Sequence, residues 1–446
     1  MATSHQSLSN TQGHHVKKAV PIILLFFVFA LIIDNSFKLI SVAIADDLGI
    51  SATTVSWQAT LAGLIIGIGA VVYASLADSI SIRKLLSTGI ILICIGSVMG
   101  FIFRDSFPLI LLSRIIQTAG LASAETLYVI YVMKHLPKDE QKKFLGYSTS
   151  SYSLSLVIGS LTGGYISTYL NWTILFLVPL LSLILLPFIL KYLPKEQSTS
   201  KSYVDGVGLL LIAAIATSVM LYLTNFNWLY ILIFIITAAL FLLYITKSKK
   251  SFIDSSFFKN KRFLFTLTIA FIIYSVQLGY IFMFPFLLQK MYGLQLDKIS
   301  LLMVPGYIVA VIVGAMSGKI AKVLSNRQTV TCAMLAIATS LIVPALTGSS
   351  SMIVYVFSMM LFSGSFALMY APMLDTCVSA IPVDKSGTAV GFYNLVLNVA
   401  MSIGIAYTAS MIEVISYSAV LYVLALIALC SLSLFWLLVA RKLKIS

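Results

Sequence analysis

Apolar residues do not alternate with polar ones along this chain. They run together in blocks of about twenty or more, separated by short polar stretches. Fourteen such blocks can be drawn, at approximately 19–45, 55–77, 85–103, 107–133, 145–169, 172–192, 205–225, 227–247, 263–289, 299–321, 328–347, 351–376, 388–412 and 419–440. At about 1.5 Å of rise per residue each is long enough to cross the roughly 30 Å hydrocarbon core of a bilayer. The pattern predicts an all-α polytopic membrane protein with fourteen transmembrane helices, and the even number puts both termini on one side.

Composition agrees. The 446 residues are 60% hydrophobic and 10% charged, where a soluble chain carries about 25% charge. Mean hydropathy is +1.02. The net charge of +14 could point to nucleic acid, but its distribution does not. Of the 29 Lys and Arg, 24 fall at the ends and loops that share a side with the termini, and Arg104, Lys290 and Lys298 fall on the other. By the positive-inside rule both termini are cytoplasmic, and the basic charge sets topology rather than binding nucleic acid. The first apolar run is too long for a signal-peptide core and has no evident cleavage site, so a cytoplasmic-membrane protein is expected. Residues 1–18 are polar and read as a disordered tail.

The remaining two cations, Lys38 and Arg114, lie inside the apolar blocks, as do Asp34 and Glu125. A charge at mid-membrane costs about 2.5–3.5 kcal/mol on insertion scales, so such residues mark function or a buried pair. Asp34 and Lys38 are four apart and share one helix face. Counting along the helices puts Arg114 and Lys38 at an outer level, Asp34 below them and Glu125 lower still, a ladder of charge if the two helices pack together. Plainer alternatives stand beside this: a structural Asp34–Lys38 pair, and an Arg114 that reaches up to the outer surface. Asp375 falls near an inner helix end and reads as interfacial.

The chain also repeats itself. PKDEQKKFLG (137–146) aligns with PVDKSGTAVG (382–391) at an offset of 245, and Gly159 with Gly404. ASLADS (74–79) aligns with GAMSGK (314–319) at an offset of 240, which sets Tyr274 opposite Asp34. Two six-helix halves follow, at 19–193 and 263–440. Linkers at 194–204 and 248–262 flank an inserted pair of helices at 205–247, and a short tail follows at 441–446. Repeats of this kind build transporters whose substrate site lies between the halves near the midplane.

Three stretches carry motif-like spacing. ASLADSISIRKLL (74–86) follows the second helix and resembles the loop motif G-x-L-a-D-r-x-G-r-k of the major facilitator superfamily, with Asp78, Arg83 and Lys84 at matching positions. RIIQTAGLASA (114–124) resembles that superfamily's R-x-x-q-G-x-g-a-a, through Arg114, Gln117 and Gly120. SLVIGSLTGG (155–164) resembles the antiporter motif g-x-x-x-G-P-x-x-G-G, through Gly159, Gly163 and Gly164, with Ser160 in place of the proline. The first helix, with Asp34 and Ser36, resembles l-D-x-T-i-v-N-v-a-l-P of the 14-helix drug:proton antiporters. Within that branch the likeness is to tetracycline exporters of the Tet(K)/Tet(L) class, and closer still to the chromosomal staphylococcal ones.

The resemblance implies a major facilitator fold of 6 + 2 inserted + 6 helices. It implies a bacterial cytoplasmic-membrane exporter that exchanges tetracycline, as a divalent-metal complex, or other amphipathic drugs for protons. The proton is the coupling ion; no resident cofactor or protein metal site is expected, and any divalent metal arrives with the substrate. Partners are the drug, protons and the lipid bilayer, with no nucleic acid, and the working unit is a monomer. Proton coupling is assigned to Asp34, Glu125, Arg114 and Lys38. Gating is assigned to Asp78, Arg83, Lys84, Gly159, Gly163 and Gly164. Substrate contact is assigned to Asn35, Trp57, Gln58, Gln117, Tyr152, Gln277, Tyr280, Tyr370, Tyr393, Asn394 and Asn398, polar anchors in an otherwise apolar cavity.

Export of fatty acids, broad multidrug efflux and proton-coupled nutrient uptake are the transport alternatives. An intramembrane enzyme is disfavoured, since the only histidine outside the tail is His135 in a loop. Catalysis needs acid, base or metal groups gathered at one place. The four cysteines, Cys94, Cys332, Cys377 and Cys430, have neither metal-site spacing nor a disulfide framework.

Overall fold

The computed structural model describes residues 2–194, 204–248, 256–348, 351–379, 381–382 and 385–440. Among them there is no strand. The elements are α1 (Ala2–Leu39), α2 (Ser41–Leu48), α3 (Ala52–Leu76), α4 (Ile82–Ile102), α5 (Phe107–His135) and α6 (Lys138–Tyr169). Two 3-10 stretches (Trp172–Phe176 and Val178–Leu185) lead into α7 (Leu186–Tyr192). Then come α8 (Gly206–Asn225), α9 (Trp228–Lys247), α10 (Ser256–Lys259), α11 (Lys261–Tyr292) and α12 (Leu296–Ile320). The chain continues through α13 (Asn326–Thr347), α14 (Met352–Val378), α15 (Ser386–Val414) and α16 (Tyr417–Leu434), and ends in a π-helical turn at Phe435–Ala440. Most of the two expected linkers, and the tail at 441–446, lie outside the described residues.

Among the described residues, thirteen helical stretches are long and apolar enough to cross a membrane. α6 is absent from that set although its 32 residues span roughly 48 Å. It is rich in Ser, Thr and Gly, because much of it faces other helices rather than lipid. Three local details differ from the sequence pattern. The first block is not one rod: it breaks at Ile40, just past Lys38, and ends at Gly49, whose φ of 62° suits glycine. The tail expected to be disordered is helical from Ala2, since a helix nucleated in the apolar block propagates at one hydrogen bond per residue. The sixth block is largely 3-10, with Pro179 and Pro187 near the starts of its successive turns.

Packing repeats between the halves. α4 lies along α5 as α13 lies along α14, and α1 lies along α6 as α11 lies along α15. The closest approaches repeat too. A Cβ at Gly159 would meet Asn35, and one at Gly404 would meet Ser275, which stands 240 residues after Asn35. Ser81 caps α4 and Ser325 caps α13 through the same side-chain-to-backbone bond. The inserted pair sits at the periphery: α8 packs on α15 and α3, and α9 on α8. Asp205 caps α8 through the Gly208 N–H at 2.8 Å and accepts from the Tyr244 hydroxyl of α9 at 2.6 Å.

The halves meet along α3 with α15 and α6 with α12. One end of the bundle holds the starts of α1 and α4 and most of the Lys and Arg; it is called the basic end, and the opposite one the far end. Hydrogen bonds close the far end across the halves. The Thr53 N–H donates to Glu413 at 2.6 Å, Gln289 to Asp46 at 2.7 Å, and Tyr169 to Asp297 at 2.9 Å. Toward the basic end Glu125, Tyr152 and Tyr370 are exposed, and Gly387 and Gly391 face open space. The cavity between the halves is therefore closed at the far end and open at the basic end.

Candidate functional site

Three ionised side chains meet where α1 and α5 cross. The Lys38 ammonium lies 2.5 Å from one Asp34 carboxylate oxygen, and an Arg114 nitrogen lies 3.4 Å from the other. The Arg114 guanidinium also stacks 4.1 Å from the centre of the Phe37 ring, one helical residue before Lys38. It donates to the Gln117 amide oxygen, and Gln117 in turn donates to Ser97 at 2.9 Å. Arg114 is 1% exposed, which removes the reading in which it reaches the outer surface. Breaking a buried pair by removing one partner costs about 3–5 kcal/mol, so this cluster fixes α1 to α5.

Glu125 is placed differently. It sits eleven residues further along α5, about 16 Å toward the basic end. Its side chain is exposed to the gap between the halves and has neither an ion pair nor a hydrogen bond among the described residues. Tyr152 of α6 and Tyr370 of α14 stand within electrostatic range of it, and Tyr152 is within range of Asp34 as well. Glu125 and its repeat counterpart Tyr370 thus flank the same space. Beside Lys38 the halves enclose a cavity of about 30 Å³, room for a water or two. Asn35, Lys38, Tyr152 and Ser160 line it from one half, and Gln277 and Tyr307 from the other.

The glycine motif is the seam that holds α6 against α1 and α12. A Cβ at Gly159 would stand 2.8 Å from the Ile32 carbonyl oxygen, and one at Gly163 2.9 Å from that of Ser36. Ser36 uses this closeness, donating to the Gly159 carbonyl at 2.8 Å. Gly164 turns the other way, toward the second half: its Cβ would stand 2.6 Å from the Leu296 carbonyl and in the path of the Ser300 hydroxyl. Ser160, where the family pattern has proline, is free to face the cavity. At the basic end, Lys134 pairs with Asp78 at 3.2 Å and donates to the Ala77 carbonyl at 2.8 Å. Both partners are well exposed, so the pair contributes about 0–1 kcal/mol by itself. Arg83 and Lys84 open α4 at the surface and form no ion pair among the described residues.

Not every polar candidate faces the cavity. Gln58 is fully buried and donates to the Phe37 carbonyl at 2.9 Å and the Ser41 hydroxyl at 2.8 Å, bracing the helix break beside Lys38. Gln117 holds Arg114. Tyr280 is buried within the second half, bonded to Ser358 at 2.8 Å and packed on Phe362. Trp57 packs on the small cluster where α3, α8 and α15 meet. In this conformation these four lie in helix interfaces, where Gln58, Gln117 and Tyr280 have their hydrogen-bond partners and Trp57 its packing, and not against the cavity. Tyr370 bonds Asn394 at 3.2 Å, and Asn398 donates to the Asn394 carbonyl at 2.9 Å beside Gly67. The buried Tyr393 hydroxyl faces that of Tyr274 in α11, and its ring lies 6.4 Å from that of Tyr370. Asp375 accepts from Asn326 at 2.6 Å at the basic end. Tyr307, Phe37 and Lys134 do not stand out in the sequence as site residues. Tyr307 lies in an unbroken apolar run, Phe37 looks like any lipid-facing residue, and Lys134 reads as a loop charge.

Two repeated helical halves around a central cavity, open at one end and sealed at the other, have the architecture of a multi-pass membrane transporter. The sequence model of the Major Facilitator Superfamily matches residues 22–405, and the chain belongs to that family. It is similar to the riboflavin transporter RibZ of Clostridioides difficile, 24% identical over 402 residues, covering 88% of each chain. It is similar as well to the quinolone resistance protein NorB of Staphylococcus aureus, 26% identical over 427 residues, covering 91% of this chain and 90% of that one. Among solved structures, the POT family transporter PepTSo superposes with a TM-score of 0.69 at 13% identity, covering 95% of this chain and 98% of that one. A D-xylose-proton symporter does so at 0.66 and 13%, covering 95% and 97%. At that identity the likeness is one of fold.

Proposed function

We propose that this protein exports amphipathic drugs across the bacterial cytoplasmic membrane in exchange for protons, by alternating access of a single central cavity. The observation that carries the reading is the unpaired Glu125, exposed between the halves about 16 Å along α5 from Arg114 of the buried Asp34–Lys38–Arg114 cluster. An intramembrane acid without a counter-ion is a natural proton carrier. Protonating Glu125 breaks no ion pair; protonating Asp34 releases two. Glu125 is therefore assigned the exchange of proton for drug, and Asp34 the coupling of charge to the packing of α1 against α5.

With the basic end in the cytoplasm, as the charge asymmetry argues, the structure is open inward. A deprotonated Glu125 receives drug from the cytoplasm. Rocking of the halves about the seam of α6 and α12 exposes the cavity outward. A proton from outside neutralises Glu125, displaces the drug and permits the return. Tetracycline, carried with a divalent metal, is the substrate that the sequence resemblance supports; the similarity to NorB supports quinolones beside it. The protein acts as a monomer, since one chain encloses the whole cavity.

The test is a susceptibility panel in a host lacking its own efflux pumps. Wild-type protein raises the inhibitory concentration of tetracycline several-fold, and a protonophore cancels the effect. Asp34→Asn and Glu125→Gln, present in the membrane at wild-type levels, raise it little or not at all. A panel in which no amphipathic drug is affected, or in which both variants protect fully, rejects the reading.

A further inference from the structure

The charges around the cavity have a polarity that a purely cationic substrate does not match. With Asp34 ionised, the cluster of Lys38, Arg114 and Asp34 keeps one net positive charge. Arg114 is sealed in at 1% exposure, but the Lys38 side chain is 17% exposed and lines the enclosed cavity. Its ammonium has three donors. Asp34 takes one, and no other described group accepts from it. Beyond Tyr152, which lines that cavity, Glu125 stands exposed toward the basic end with no ion pair among the described residues. Counting along α5 puts Glu125 about 16 Å from Arg114, toward the basic end. Tyr152 stands between, in range of both acids, and offers an aromatic wall.

We propose that Lys38 is a substrate-contacting specificity residue. It receives an anionic oxygen while Glu125 receives a basic nitrogen, so that the cavity selects elongated zwitterionic amphipaths. The inference rests on the exchange role given to Glu125 above. It also accounts for how the two roles fit together: a proton on Glu125 competes with the nitrogen end, and the anion end stays on Lys38 throughout.

The experiment is equilibrium binding to the purified full-length protein in detergent, with norfloxacin, its ethyl ester and its N-acetyl derivative. Norfloxacin carries a carboxylate and a secondary amine; each derivative removes one charge. Wild type binds norfloxacin at least ten-fold more tightly than either derivative. Lys38→Met brings the acid-to-ester ratio close to one, and Lys38→Gln does the same should the methionine variant fold poorly. Lys38→Arg keeps the preference, and Glu125→Gln abolishes only the preference for the free amine. A wild type that binds acid and ester alike, or binds none of the three, overturns the inference, as does a Lys38→Met or Lys38→Gln protein that keeps the full ratio. Proton exchange is read separately in inverted vesicles. Exchange without charge selectivity removes this inference alone, and charge selectivity without exchange removes the exporter reading alone.

Discussion

At the scale of single residues the two acids differ by what surrounds them. Asp34 is held by two cations, one of which is itself fixed by Phe37 and Gln117. Arg114 therefore needs its flat guanidinium, since an ammonium cannot stack on the ring and reach both Asp34 and Gln117. Arg114→Lys is expected to insert in the membrane but to lose at least ten-fold in transport rate, measured as drug uptake into inverted vesicles. The i, i+4 spacing made the Asp34–Lys38 contact legible in the sequence. Arg114 as its second partner followed from helix level and family likeness together. What the sequence could not give was the rotation of each helix. A glutamine in an apolar helix can face a cavity or a neighbouring backbone, and only the partner helices decide which. Gln58 and Gln117 turned inward for that reason, while Gln277 lines the cavity.

Among the elements, α6 shows most directly how sequence becomes mechanism. Its small residues let two faces approach other backbones closely, Gly159 and Gly163 toward α1 and Gly164 toward α12. The motif was legible as a glycine spacing, but its division between two neighbours was not. Gly159→Val places its side chain against the Ile32 carbonyl; overpacking of this kind costs about 1–3 kcal/mol. Its thermal unfolding midpoint in detergent is expected to fall by several degrees. Gly164→Val acts on the seam between the halves instead. It is expected to leave the first half folded and to loosen closure of the far end. Thiol labelling of a cysteine placed at Thr168, beside Asp297, should then rise relative to the parent protein. Unchanged labelling would mean that the seam does not control the far end.

For the whole molecule, hydropathy read as fourteen spans, and thirteen stretches among the described residues are long and apolar enough to cross a membrane, with α6 the one its Ser, Thr and Gly keep outside that set. The 3-10 character of the sixth block and the break at Ile40 escaped, because proline placement and local side-chain bonds set them within blocks of uniform hydropathy. The conformational state escaped too: an alternating-access carrier has one sequence and at least two packings, and the far-end bonds of Thr53, Gln289 and Tyr169 belong to one of them. If tetracycline travels as a metal complex, chelating divalent ions should lower its transport while leaving proton exchange with a metal-independent drug intact.

The central claim is that Glu125 trades a proton for drug. The direct measurement is proton movement in inverted vesicles loaded with an acidic interior and a pH-sensitive dye, to which drug is added from outside. Wild-type protein should release lumenal protons on drug addition, and Glu125→Gln should bind drug yet release at least ten-fold fewer. Undiminished drug-driven proton release by a correctly inserted Glu125→Gln protein would contradict the account.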